Sequence, residues 1–284
     1  MDEELKPITF ENVLTKDTDG FFRLHKSYSD LYKKTQYITP LQIIENRIVE
    51  YDIKSANISA LEHSGKIDPD IIEKLRSVDK KTREVRVGKM IADNKNIGKI
   101  IKNGILFARM ELFRTNHIIT DEVVSIKNDA VFIAGKKLKH TDFGSFHFVR
   151  KNVYSFYMRL GRNFEFYYDG RNNQTDIKGV GTIYKEEDYQ NGIMIFLNTV
   201  FRLRTRGQIQ ELRDYLIRFT NDYKSMKLPV QYYRELGGSN AYRSTYTVGN
   251  MEYIFGIAGE KDKPIINGIY NYKRYVLPMV QAFL

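Results

Sequence analysis

The sequence predicts an α+β protein: an antiparallel sheet with helices, interrupted by a helical insertion and followed by a C-terminal helical lobe. Three observations predict it. A short apolar strand runs through Ile48 to Ile53, a tight β-hairpin reads from Val123 to Ile133, and helical periodicity fills the residues between them and returns beyond Met194. The expected organisation is an N-terminal segment 1–47 of uncertain structure, a sheet-bearing segment 48–195 with its insertion at about 60–115, and a helical lobe 196–284.

Taken in order, Phe10 to Gln42 is mixed and carries no clear period. Val49-Glu-Tyr-Asp52-Ile-Lys-Ser55-Ala-Asn57-Ile-Ser59 is a strand that delivers one aspartate to its end, then a turn, with amphipathic sequence from Ala60 to Leu75. Asp68-Pro69 starts a helix, Asp68 as N-cap and Pro69 at the first helical position. Helical sequence dominates from about Lys80 to Arg114, and Arg83, Arg86 and Lys89 recur every three residues, which reads as one cationic face. Val123 to Ile133 is two short β-rich runs joined at Asn128-Asp129, placing a carboxylate at a hairpin tip. Phe146 to Tyr168 is strand-like and aromatic, Arg171 to Thr175 is a polar loop, and Ile177 to Tyr184 continues the sheet. Ile209, Leu212, Leu216, Phe219 and Tyr223 then keep helical spacing.

Composition narrows the function classes. The 284 residues carry 45 Lys and Arg against 35 Asp and Glu, a formal charge of +10, which favours a polyanionic partner. Twenty Tyr and 17 Phe, many beside cations as in Gln231-Tyr-Tyr-Arg234, supply stacking faces of the kind nucleic acid uses. The absence of cysteine excludes disulfides, thiolate zinc sites and thiol nucleophiles. The five histidines show no metal-ligand spacing, and neither a glycine-rich phosphate loop nor a Gly-x-Ser-x-Gly elbow is present. Met1 to Pro7 is acidic and polar, and no apolar run approaches the roughly 18 residues of a membrane span. The expectation is a cytoplasmic protein without a membrane partner.

Asp52 at a strand end and Asp129 at a hairpin tip are the residue types that two magnesium ions about 3.5 to 4 Å apart require. Such a pair suits phosphoryl transfer, in which positioning and charge neutralisation do most of the work. Cations from the helical insertion would then hold the phosphates.

Beyond the carboxylates, Asp52-Ile-Lys-Ser55-Ala-Asn57-Ile-Ser59 resembles the first palm motif of family B DNA polymerases, Asp-x-x-Ser-Leu-Tyr-Pro-Ser. Lys127-Asn-Asp129-Ala-Val-Phe resembles their second palm motif, Asp-Thr-Asp-Ser-Val-Phe. Between them, Lys89 with Asn94-Lys-Asn-Ile-Gly98 is similar to the fingers motif Lys-x-x-x-Asn-Ser-x-Tyr-Gly, one residue longer between Lys and Asn; Lys99-x-x-x-Asn103 is a rival placement. Lys151-Asn-Val-Tyr154 resembles the element that grips the primer-template, Ile177-Lys178-Gly179 the Lys-Gly strand after it, and Tyr270-Asn-Tyr-Lys-Arg-Tyr-Val-Leu-Pro278 the closing helix.

The resemblance implies a polymerase-like palm with a helical fingers insertion and a C-terminal thumb, and a DNA polymerase that extends a primer with nucleoside triphosphates. It implies Asp52 and Asp129 as catalytic residues and Asp52, Ile53 and Asp129 as the positions holding two Mg2+ ions. Ser55, Asn57, Arg86, Lys89 and Asn94 would bind the nucleotide, and Lys127, Lys151, Tyr154 and Lys178 the DNA primer-template. Two positions depart from the family pattern: Lys127 stands where the family has its first aspartate, and Asn57 where it has the tyrosine under the sugar. With only about 51 residues before Asp52, no exonuclease is expected on this chain and a separate protein carrying that part is. That arrangement would suit a viral replication system in the host cytoplasm. The alternative is a catalytically impaired, polymerase-derived nucleic-acid-binding subunit, and a third reading is an unrelated basic scaffold whose aspartates are surface turns.

Overall fold

The computed structural model describes residues 14–16, 22–24, 28–160, 164–178, 192–234, 236, 246–248, 251–253 and 268–284. In chain order the elements are β1 (Leu14–Lys16), β2 (Phe22–Leu24), β3 (Gln36–Ile38), β4 (Ile43–Ile44), β5 (Ile48–Ile53), α1 (Ala56–His63), α2 (Pro69–Arg76), α3 (Lys80–Asp93) and α4 (Lys95–Thr115). Then come β6 (Val123–Lys127), β7 (Ala130–Ala134), β8 (Asp142–Phe143), β9 (Phe146–Tyr154), β10 (Phe156–Leu160), β11 (Phe164–Asp169) and β12 (Gln174–Lys178). The last are α5 (Gly192–Thr205), α6 (Ile209–Lys224), β13 (Tyr246–Val248), β14 (Met251–Tyr253), α7 (Gly268–Asn271) and α8 (Leu277–Phe283). The expected α+β class is observed, with antiparallel strand pairing.

The chain divides into two compact units, Met1–Thr39 with Ile48–Val153, and Pro40–Arg47 with Tyr154–Leu284. The first is built on a six-stranded sheet of order β3-β6-β7-β5-β9-β8. Every residue of β5 is buried, and the period of two divides its chemistry. Val49, Tyr51 and Ile53 enter the core formed with Ile58, Leu61, Ile101, Leu112 and Phe113, while Ile48, Glu50 and Asp52 take the opposite face. Ser55, left-handed at φ 53°, turns the strand into α1, and its carbonyl accepts from the Ile58 and Ser59 N–H groups.

The insertion is segmented by its caps. Asp68 Oδ1 accepts from Asp70 N at 2.9 Å with Pro69 in the first turn, as the sequence predicts. The stretch Lys80 to Arg114 is two helices rather than one. Asn94 is extended, and its Oδ1 accepts from Asn96 N at 3.0 Å, ending α3 and starting α4. Helix α4 crosses α1 at Gly104, where a Cβ would meet the Ala60 Cβ at 2.6 Å and its Cα at 2.9 Å.

Five residues further, Arg109 is 1% exposed. Its Nη1 donates to the carbonyls of Tyr32 (3.1 Å) and Lys34, and its Nη2 to the carbonyl of Asn128 at the β6–β7 turn. The turn itself is the expected hairpin: Lys127 pairs with Ala130, leaving Asn128 and Asp129 as the loop, with Asn128 left-handed at φ 53°.

The second unit has its own sheet, β12-β11-β10-β4. Phe156, Met158, Phe166, Tyr168 and Ile177 on one face pack with Phe196, Val200 and Phe201 of α5, Leu216 and Phe219 of α6, and Tyr275 and Met279 near the C-terminus. Rings interlock there, Phe156 on Phe201 at 4.9 Å and Phe196 stacked on Phe219 at 4.2 Å. The strands after Tyr154 therefore share a core with the C-terminal helices. The expected polar loop is shorter than 171–175, because Thr175 pairs with Tyr168 inside β12. Residues 179–184 of the expected strand Ile177 to Tyr184 lie outside the described residues. Among the described residues no helix is long and apolar enough to cross a membrane.

Arg109→Leu removes a buried guanidinium and its bonds to three part-buried carbonyls, so it is expected to destabilise the chain by about 3 kcal/mol. Arg109→Lys, which keeps the charge but not the fork, is expected to fall between. Urea unfolding followed by circular dichroism measures both; a change under about 1 kcal/mol for Arg109→Leu would refute the clamp.

Candidate functional site

Strand register brings the two aspartates together. Asp52 pairs with Ala130 across β5 and β7, so the residue before Ala130 arrives at the end of β5, and Ile53 N donates to the Asp129 carbonyl at 3.3 Å. The Asp52 and Asp129 carboxyls lie within hydrogen-bonding reach of one another. The Asp52 side chain is 13% exposed. Burial, and next the neighbouring charge of Asp52, push the Asp129 carboxyl above the usual carboxylate range.

A cation already sits on this pair. Lys151, on β9 next to β5 in the sheet, places its Nζ against Asp52 Oδ2. That hydrogen bond, then the charges of Asp52, Glu50 and Asp129, raise the lysine above its ordinary value despite its partial burial. Glu50, two residues before Asp52 on the same strand face, is 6% exposed and accepts from Asn152 Nδ2 at 2.7 Å. Arg109 lies under the hairpin tip, brought down to about 10 by burial, with the Asp129 charge opposing that shift.

A cavity of about 310 Å3 opens over the carboxylates. Asp52, Asp129 and Lys151 line it with Ser55, Ala56 and Asn57 at the start of α1. Lys80, Arg83, Glu84 and Val87 of α3 complete the wall. The first N–H groups of a helix have no partner within it, so α1 adds its positive end to these cations.

The expected phosphate-binding stripe does not face the cavity as a unit. Arg83 lines it, whereas Arg86 and Lys89 are exposed and are not among the lining residues. The physical reason is helix geometry: each three-residue step falls short of a full turn by about 60°, so Lys89 is rotated about 120° from Arg83. Lys80, one step earlier, and Glu84 take the inward positions. The sequence does carry a signal for this phase, because Val87, the buried residue of α3, marks the inward face.

The other expected residues separate into groups. Ser55 and Asn57 line the cavity, and Ile53 can offer it only main-chain groups. Asn94 is exposed and committed to capping α4, and neither Lys99 nor Asn103 lines the cavity. Lys127 shares the sheet face of Asp52, with Ala130 between them in register, so its Cα stands about 10 Å from that of Asp52, and it is not among the residues that line the cavity. In the second unit, Tyr154 and Lys178 meet on one carboxylate: the Tyr154 hydroxyl donates to Asp176 Oδ2 at 3.0 Å, and Lys178 Nζ lies 2.6 Å from the same oxygen. Glu50 and Lys80 join the site without any motif in the sequence to single them out.

The two carboxylates are hard oxygen donors, and Asp52 already draws the Lys151 ammonium to one of its oxygens. Magnesium, which keeps several waters and takes one or two carboxylates plus substrate phosphates, fits that donor set. Among the described residues, no group of three or more His, Cys, Asp or Glu is placed to hold a metal. The site therefore suits an ion shared with a ligand rather than a closed structural one.

A protein-family model described as bacteriophage PBS1 gene 130 protein matches residues 27–281. No curated protein matches the chain.

The raised Asp129 value fixes a sign. The folded chain holds that proton more tightly than the unfolded chain, so its contribution to stability is lost as pH rises from the ordinary carboxylate range through the raised value. Asp129→Asn is expected to melt higher than wild type in metal-free buffer at neutral pH, with the difference vanishing below about pH 4. Melting curves across pH 3 to 8 check it, and a constant difference would contradict it.

Proposed function

We propose that this chain, which belongs to the bacteriophage PBS1 gene 130 protein family, is the catalytic part of a template-directed nucleotidyltransferase that extends a DNA primer. One observation carries the proposal: Asp52 and Asp129, from neighbouring antiparallel strands, converge on the floor of a cavity whose walls are cationic. The resemblance of these same residues to the palm motifs of family B DNA polymerases, in matching order along the chain, supports it. In this reading the first sheet is the palm, α2 to α4 the fingers, and the C-terminal helices the thumb.

Asp52 and Asp129 would hold the metal ions, with the Ile53 carbonyl beside them. Two Mg2+ ions would supply activation of the primer hydroxyl and neutralisation of the triphosphate and leaving group. The chain's own residues do the positioning: Arg83, Lys80 and the N-terminal turn of α1 face the same space and are suited to triphosphate oxygens. Asn57 lies where the resembling family keeps a tyrosine beneath the sugar, and its smaller side chain would discriminate less against a 2′-hydroxyl. Lys127, Lys151, Tyr154 and Lys178 are assigned to the primer-template.

A second reading, a nucleic-acid-binding subunit that has lost catalysis, is favoured by the Lys151 ammonium on Asp52. Primer extension with magnesium and a labelled template separates the two. Asp52→Asn and Asp129→Asn are each expected to lower extension by at least about a thousandfold. Primer-template binding without extension by wild type, in magnesium or manganese, would select the second reading.

The cavity geometry also orders the cations of α3. Arg83→Ala is expected to raise the KM for nucleotide by about tenfold or more, and Arg86→Ala and Lys89→Ala by less than about twofold. Steady-state kinetics on the three variants tests this, and an Arg86→Ala effect equal to that of Arg83→Ala would overturn the assignment.

A further inference from the structure

We propose that Lys151 is a built-in counter-ion of the carboxylate pair, which a divalent cation must displace, so that the site resists free metal and admits it together with an anion. The inference rests on the reading of Asp52 and Asp129 as metal-holding residues. It assigns Lys151 a role toward the metal in addition to any contact with nucleic acid.

The ammonium and its acceptor differ in their freedom. The Asp52 side chain is 13% exposed, set into the sheet, whereas Lys151 is 50% exposed and hangs on a flexible stem from the neighbouring strand. Nothing but the stem has to move for the ammonium to leave. The strand that carries it is held independently, because Asn152, the next residue, donates to the buried Glu50 carboxylate. Lys151 can therefore swing away while β9 stays in place.

Charge arithmetic gives the direction of the effect. Glu50, Asp52 and Asp129 all act on the Lys151 ammonium. With all three ionised, the local charge is −3 without the lysine and −2 with it, and an approaching divalent ion also meets a like charge at the oxygen it needs. Like charges a few ångströms apart interact strongly, and the half-exposure of Lys151 screens this to an expected effect of about tenfold in metal affinity.

The displaced ammonium needs a new partner, and the cavity favours an anion that carries its own metal. Arg83 and Lys80 line the same space, so a triphosphate entering there would gain a third cation when Lys151 lets go of Asp52. Metal would thereby strengthen triphosphate binding, and triphosphate would strengthen metal binding by the same factor. Lys80 provides the control: it lines the same cavity, but its nearby carboxylate is Glu84, at 3.8 Å.

The test is Mn2+ binding to the full chain by calorimetry, without nucleotide and then with a non-hydrolysable nucleoside triphosphate. Lys151→Met is expected to bind free Mn2+ about tenfold more tightly than wild type and to show a smaller gain on adding nucleotide. For free Mn2+, without nucleotide, Lys151→Arg, which keeps the charge, and Lys80→Met are expected to stay within about twofold of wild type. Equal affinities for wild type and Lys151→Met would overturn the proposal, and so would equal tightening by Lys80→Met, which would indicate a diffuse field instead of an occupied seat. The double variant Asp52→Asn, Asp129→Asn separates the levels. If it loses Mn2+ while Lys151→Met matches wild type, the role of Lys151 fails alone; if it binds Mn2+ like wild type, the metal-holding reading fails with it.

Discussion

Arg109 lies in the middle of a helix with main-chain carbonyls as its partners, two from the segment before β3 and one from the turn between β6 and β7. Those segments are brought to one point by a guanidinium that has almost no water to fall back on, so they cannot drift apart without stranding a charge. The turn it grips is the one that carries Asp129. The arginine and the carboxylate are thus neighbours, and the Asp129 charge opposes the loss of proton affinity that burial imposes on Arg109. The position of the second aspartate depends on a residue twenty positions earlier that never reaches the cavity.

The alternation of β5 explains how one short strand serves two purposes. Its odd positions, Val49, Tyr51 and Ile53, are core, and its even positions, Ile48, Glu50 and Asp52, face the other way. Burying two acids on one face of one strand is costly unless cations or donors meet them. The neighbouring strand β9 supplies both, Asn152 for Glu50 and Lys151 for Asp52. The acidic character of the sheet and the basic character of its neighbour are parts of one electrostatic arrangement.

Local rules that act over a few residues make several elements legible in the sequence. Ile48 to Ile53, the hairpin at Asn128-Asp129 and the Asp68 cap follow from such rules, and each is observed. The break at Asn94 is harder to read, because an asparagine cap inside lysine-rich helical sequence differs little from a solvated helical position until the chain direction is known. Counting cations every three residues misplaces the inward face of α3, because the buried Val87, and not the charges, sets the phase. Glu50 is invisible for a different reason: its partner Asn152 is 102 residues away, and strand order, unlike strand existence, is a long-range property. The grouping of β10 to β12 with the C-terminal helices has the same origin, since the pattern of Phe156, Met158 and Phe166 says that a face is covered but not by what.

Helix α4 meets α1 with no room for a single methyl group between Gly104 and Ala60. Contact that close transmits displacement directly, so the lower part of α4, from Gly104 through Arg109, is mechanically one body with α1 and with the strand end that bears Asp52. On the other side of Gly104 the packing thins: toward the exposed asparagine that joins α3 to α4, the helix buries only Ile101 and Ile97. The glycine thus sets how near the insertion can lie to the strand end that bears Asp52, and any side chain at that position would wedge the two helices apart.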